Sequence, residues 1–150
     1  MLSEWFVDAS LPGLLRGAWS TYGKAVRAAM VEGGFDDMPR SGAYVVGAVA
    51  RAGLPLSRIV AQLGFSKQAA GQLVDTLVVR GYLERAADPA DRRRLTVSLT
   101  PRGEAAAAVA REAIAAVDQT LTDRLGAGQV LDLRRALAAL MESGATAADS

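Results

Sequence analysis

Cysteine and histidine are both absent from the sequence. Their absence removes thiolate nucleophiles, disulfides, the usual zinc ligand sets and imidazole general bases. Carboxylates remain available for catalysis, but the acidic residues are scattered over helix positions that read as exposed. No two converge on an apolar pocket that would raise one pKa. The expectation is a protein that is not an enzyme and carries no metal and no cofactor. Aromatic residues make up only 5% and alanine inflates the hydrophobic fraction of 51%, a balance that favours close-packed helices over a sheet-rich sandwich. No apolar run approaches the roughly 18 residues needed to span a bilayer. The start, Met1-Leu2-Ser3-Glu4-Trp5, lacks the cationic lead of an export signal. A soluble, cytoplasmic protein without a membrane partner is expected. The lack of cysteine agrees only weakly, since many exported proteins also lack disulfides.

What is present is unevenly distributed. The net charge is only +1 over 150 residues, a length that fits one domain. Divided along the chain, residues 66–103 carry +3 and residues 104–150 carry −3. A local basic patch on a near-neutral chain supplies the electrostatic footprint of nucleic-acid binding, and an acidic tail region should sit away from phosphates.

Hydrophobic spacing predicts a first helix from about Leu11 to Gly33, with Leu15, Trp19, Tyr22, Val26 and Met30 recurring at helical intervals. A nearly all-apolar second helix follows over about Arg40 to Ala52. A short third helix is predicted between Pro55 and Gly64, then the turn Gly64-Phe65-Ser66, then a fourth helix N-capped by Ser66 and reaching about Arg80. Two short helices joined by a glycine-containing turn make a helix-turn-helix signature. Ala70, Leu73, Val74 and Leu77 form the inner face of the fourth helix; Lys67, Gln68, Gly71, Gln72 and Asp75 form the outer one. Tyr82-Leu83-Glu84-Arg85 reads as a strand pairing with the alternating Leu95-Thr96-Val97-Ser98-Leu99, so that Asp88 to Arg94 becomes the basic tip of a hairpin, a wing. Thr100-Pro101 opens a long alanine-rich helix to about Leu125. After Gly126, a last amphipathic helix uses Val130, Leu133, Leu137 and Leu140. The fold class is mostly α with a small two-stranded antiparallel β-wing, in a single domain over residues 1–150.

The segments LGFSKQAAGQLVDTLVVRGYLER, Leu63 to Arg85, and DPADRRRLTVSLTPRG, Asp88 to Gly103, together with this order of elements, closely resemble the MarR-type (multiple-antibiotic-resistance regulator) family of winged helix-turn-helix transcriptional regulators, nearly end to end. The resemblance implies a DNA-binding lobe at about residues 40–103 and a homodimer in which helices at about 1–35 and 101–145 intertwine. It also implies a repressor of a near-palindromic operator, released by a small aromatic effector. The apolar stripes Leu15, Trp19, Tyr22 and Leu133, Leu137, Leu140 fit such a dimer; they also fit a monomeric core.

On double-stranded DNA, the implied contacts begin with Ser66, Lys67, Gln68, Gly71 and Gln72 at the start of the recognition helix. The Gln68 amide suits the N6/N7 edge of adenine, Lys67 guanine or phosphate, and Gln72 either. Gly71 departs from the family, which often has a hydroxyl or larger polar residue there; close backbone approach to DNA and simple tolerance both fit. On the wing, the family's Asp-x-Arg pattern falls on Asp91 and Arg93, with Asp91 positioning Arg93 for a minor groove, while Arg92 and Arg94 suit phosphates. Arg16, Trp19, Tyr22 and Tyr44 are candidates to line an effector pocket, and the aromatics among them are equally candidates for dimer core. A winged-helix module that binds protein instead of DNA is the alternative; steeply salt-dependent binding to duplex DNA would exclude it.

Overall fold

A computed structural model describes residues 4–51, 64–93 and 95–148. Helix α1 spans Leu11–Glu32. It starts where the Ser10 hydroxyl accepts the Gly13 N–H at 3.3 Å, satisfying one of the orphan donors of the first turn. It stops where Gly34 takes φ +84° and the Phe35 N–H returns to the Met30 carbonyl at 2.7 Å, the left-handed closure that glycine adopts at little cost. Helix α2, Gly42–Ala50, starts two residues later than expected, because Ser41 is itself left-handed at φ 67°. The expected third helix lies almost wholly outside the described residues, as does Arg94. Gly64, at φ +74°, leads into α3, Lys67–Val79.

Strand β1 is Leu83–Ala87 and β2 is Leu95–Leu99. They pair antiparallel, with Leu83 opposite Leu99 and Ala87 opposite Leu95. The sequence places Tyr82 in the first strand; instead it closes α3, donating its N–H to the Leu77 carbonyl at 2.9 Å after Gly81 turns at φ +77°. The ladder therefore begins one residue later and runs on to Ala87. Helix α4, Pro101–Leu125, and helix α5, Ala127–Ala148, follow.

The chain divides into two compact units, Met1–Ile114 and Ala115–Ser150. In the first, one core gathers Val26 and Met30 of α1, Val45 and Val46 of α2, Val74 and Leu77 of α3, Tyr82, Leu83, and Ala106, Ala107 and Ala110 of α4. Alanines on α4 let that helix come close. Val97 and Leu99 pack against the same cluster, which roots the wing. The second unit is a helical hairpin turned at Gly126, φ +83°, and bridged by Arg134 and Asp118 at 3.1 Å. Leu131, Leu133, Leu140 and Met141 of α5 are exposed, as are Leu11, Leu15 and Trp19 of α1. No helix among the described residues is long and apolar enough to cross a membrane.

Candidate nucleic-acid interface

The two faces of α3 separate as its spacing requires. Ala70, Val74 and Leu77 are buried, whereas Lys67, Gln68, Gly71, Gln72 and Asp75 are exposed. The Ser66 oxygen accepts the Ala69 N–H at 3.2 Å; the cap uses one lone pair of this hydroxyl and leaves its O–H able to donate outward. A Cβ at Gly71 would meet nothing within 4 Å, so no packing inside the chain calls for glycine there.

The wing tip is shaped by two carboxylates. Asp88 accepts the Ala90 N–H at 2.9 Å, and Asp91 accepts the Arg93 N–H at 3.0 Å. Asp91 thus holds Arg93 by its main chain and leaves the guanidinium directed by the turn instead of by a salt bridge. Arg92 and Arg93 are exposed, and neither is in an ion pair among the described residues. The root of the wing is tied to the recognition helix by an ion pair between Arg85 of β1 and Asp75 of α3. Polar helix face and cationic tip therefore belong to one framework.

A second cluster has no signature in the sequence. Asp37, read there only as part of a polar break, accepts hydrogen bonds from the Tyr82 hydroxyl at 2.5 Å and from Arg102 at 2.9 Å. Its carbonyl oxygen receives the Arg80 guanidinium. Arg102 also donates to the Arg80 carbonyl at 2.5 Å and lies over the Tyr82 ring, 4.4 Å from its centroid, a cation–π contact. The Tyr82 hydrogen bond, with the Arg102 charge, holds the Asp37 carboxyl below its usual pKa. Burial, then the bond to Asp37, pushes the Tyr82 phenol up to about 12. The cluster fastens the C-terminal end of α3 to the segment before α2 and to the start of α4. Its members are up to 65 residues apart, too far for any local pattern to announce them.

Trp19 and Tyr44 stack at 4.6 Å between centroids and 24° between planes, and they line two cavities. The larger, of about 610 Å³, also includes Arg16, Lys24, Arg27, Arg40, Asp36 and Met38. The smaller, of about 300 Å³, lies against α2 and α4 and includes Arg51, Arg111 and Ile114. Arg16, Trp19 and Tyr44 are thus brought together around the larger cavity, whereas Tyr22 lines neither. The Tyr44 hydroxyl is buried without a hydrogen-bond partner among the described residues, and burial raises its pKa. Leaving such a group unpaired costs about 1–3 kcal/mol. No group of three or more acidic, histidine or cysteine side chains among the described residues could hold a metal ion.

Residues 36–94 match the model of the MarR family. No curated protein matches the sequence. Among solved structures, the S. aureus MepR–DNA complex is 17% identical with a TM-score of 0.74, covering 91% of this chain and 99% of that one. CouR from Rhodococcus jostii RHA1 bound to p-coumaroyl-CoA is 25% identical at a TM-score of 0.71, covering 92% and 95%. A Mycobacterium tuberculosis MarR family protein in complex with salicylic acid is 27% identical at a TM-score of 0.61, covering 89% and 97%. The central segment thus matches the model of the MarR family, and the chain shares the winged-helix fold of these structures along about nine-tenths of its length.

Proposed function

We propose that the protein is a ligand-responsive transcriptional regulator, a repressor that binds a near-palindromic operator as a homodimer. One observation carries the reading: an exposed polar helix face and an exposed arginine-bearing wing tip, locked together by the Asp75–Arg85 pair. This is the geometry that places a helix in a major groove and a cation in the adjacent minor groove. Neighbours in complex with DNA, with p-coumaroyl-CoA and with salicylic acid support it. Lys67, Gln68 and Gln72 read base edges, with Gly71 allowing the helix close, Arg93 enters the minor groove, and Arg92 and Arg94 hold phosphates. The lobe at about 40–103 carries these contacts, and the terminal helices pair two copies through the exposed Leu15, Trp19, Leu133 and Leu140. The protein acts in the cytoplasm and catalyses no reaction.

Ligand control runs through the segment before α2. Asp36 and Met38 line the larger cavity, and Asp37 between them is bonded to Arg80, Tyr82 and Arg102. A ligand that displaces this segment pulls on the end of the recognition helix. The test is selection of duplex sequences on the purified protein, followed by binding at graded salt. Half-sites about 10 base pairs apart are expected, with tight binding lost when half a turn is inserted between them. A monomer in sedimentation that still binds its selected site tightly would refute the dimer, and binding indifferent to sequence would refute the regulator.

A further inference from the structure

We propose that Arg102 is a positioning residue for sequence reading: without touching DNA, it fixes the tilt of α3 so that the far end of that helix meets base edges in register. The inference deepens the DNA-binding reading above and rests on it. Arg102 stands in the first turn of α4, and its guanidinium meets three partners. One nitrogen donates to the Asp37 carboxylate at 2.9 Å and another to the Arg80 carbonyl at 2.5 Å, while the central carbon lies 4.4 Å from the centroid of the Tyr82 ring. Arg80 is the C-cap of α3, and its carbonyl is among those that a helix leaves unpaired at its end. A cation there also complements the negative end of the helix dipole. The neighbouring Gly81 carbonyl is taken by the Thr100 hydroxyl at 2.5 Å. The C-terminal end of α3 is therefore tied down from outside, by residues at the start of α4 and by Asp37.

Length makes this end of the helix matter at the other. The 13 residues of α3 extend over about 20 Å, so a tilt of about 5° around the C-terminal end moves the first turn by about 1.7 Å. Hydrogen bonds to base edges form over a distance window only about 0.5 Å wide, and a shift of that size takes Gln68 and Gln72 out of reach. Phosphate contacts by long side chains such as Arg92 tolerate the shift and carry no sequence information. Loss of the Arg102 clasp should therefore appear as lost discrimination between sequences, with general affinity for duplex DNA retained.

The experiment compares the full-length wild type with Arg102→Gln, Arg102→Lys and a control, Val109→Ala, which removes apolar contact from the same helix and the same core. Each protein is titrated by fluorescence anisotropy with the duplex selected on the wild type and with a scrambled duplex of equal length and composition, at graded salt. Circular dichroism melts keep every measurement well below unfolding. Arg102→Gln should weaken binding to the selected duplex by at least about ten-fold and leave binding to the scrambled duplex within about two-fold, with an unchanged salt slope. Arg102→Lys keeps the charge but not the two-pronged fork. It should also lose affinity for the selected duplex, and it carries the test if Arg102→Gln fails to fold. Val109→Ala, less stable but with the clasp intact, should keep its discrimination. A parallel loss on both duplexes would make Arg102 a DNA contact and overturn the proposal. Full recovery in Arg102→Lys would overturn it by reducing the role to charge, and an equal loss in Val109→Ala by reducing it to stability. If wild type and Arg102→Gln discriminate equally well, the positioning role fails while the regulator reading stands. A wild type that prefers no duplex sinks both.

Discussion

Glycine-to-alanine substitutions at two helical positions should have opposite signs. At Gly103, in the first turn of α4, an added Cβ would overlap the Tyr82 carbonyl oxygen and stand 3.0 Å from its carbon and 3.1 Å from Leu99 Cδ2. Two of these neighbours are backbone atoms, which cannot rotate away. The same carbonyl accepts the Thr100 N–H at 3.2 Å, a bond that a displaced helix loses. Overpacking against fixed backbone costs up to about 3 kcal/mol, and the broken hydrogen bond about 1 kcal/mol more. Alanine's helix propensity returns about 1 kcal/mol, leaving Gly103→Ala destabilised by about 3 kcal/mol. For a chain of this length that lowers the melting temperature by about 6–12 °C. Gly71 is helical, exposed and open, with nothing within 4 Å of a new Cβ, so Gly71→Ala should gain about 0.5–1 kcal/mol. Thermal unfolding followed by circular dichroism at matched protein concentration decides both, because an oligomer's melting point depends on concentration. A Gly103→Ala protein as stable as wild type would refute the steric argument. The Gly71→Ala variant also resolves what its glycine is for: reduced operator affinity in a more stable protein means DNA approaches the helix backbone there, and unchanged affinity means simple tolerance.

Gln68→Ala should change preference at one base position per half-site by about 1–3 kcal/mol while leaving non-specific affinity in place; an equal loss on all sequences in a competition assay would make it a backbone contact. Arg93→Ala should leave stability within about 0.5 kcal/mol and make the salt dependence of DNA binding shallower, by up to about 0.9 in slope for each phosphate no longer neutralised, whereas an unchanged slope would exclude Arg93 from the charge contacts of the complex. Asp91→Ala should weaken DNA binding although it removes a negative charge, because the Arg93 N–H loses its acceptor; tighter binding would show the carboxylate to be only repulsive. Stability should fall at both ends of the pH range. Asp37, whose folded pKa is depressed, stabilises fully above its unfolded value near 3.9 and loses that contribution as the pH drops below it. Tyr82, raised to about 12, contributes below its unfolded value near 10 and loses that contribution as the pH climbs toward 12. Asp37→Asn should flatten the acid limb in urea denaturation, and an unaltered acid limb would mean the carboxylate is not coupled to folding.

Most of the architecture is local and was legible in the sequence. The helical spacing of Ala70, Val74 and Leu77, the Ser66 cap and the alternation of Leu95, Val97 and Leu99 follow from the periods of helix and strand. They place Lys67, Gln68, Gly71 and Gln72 outward before any coordinate is known. The basic tip was likewise countable, since charge and chain position are properties of the sequence itself. Tertiary structure decided whatever needs two distant segments. It took Tyr82 out of the strand and into the core, because the left-handed Gly81 lets its N–H close α3. It brought Asp37, Arg80, Tyr82 and Arg102 into one cluster. It also left Tyr22 outside the cavities that Trp19 and Tyr44 line. Hydrophobic periodicity records which way a side chain points from its own element; the neighbour it meets there is set by chain reversal and packing, which no local pattern encodes.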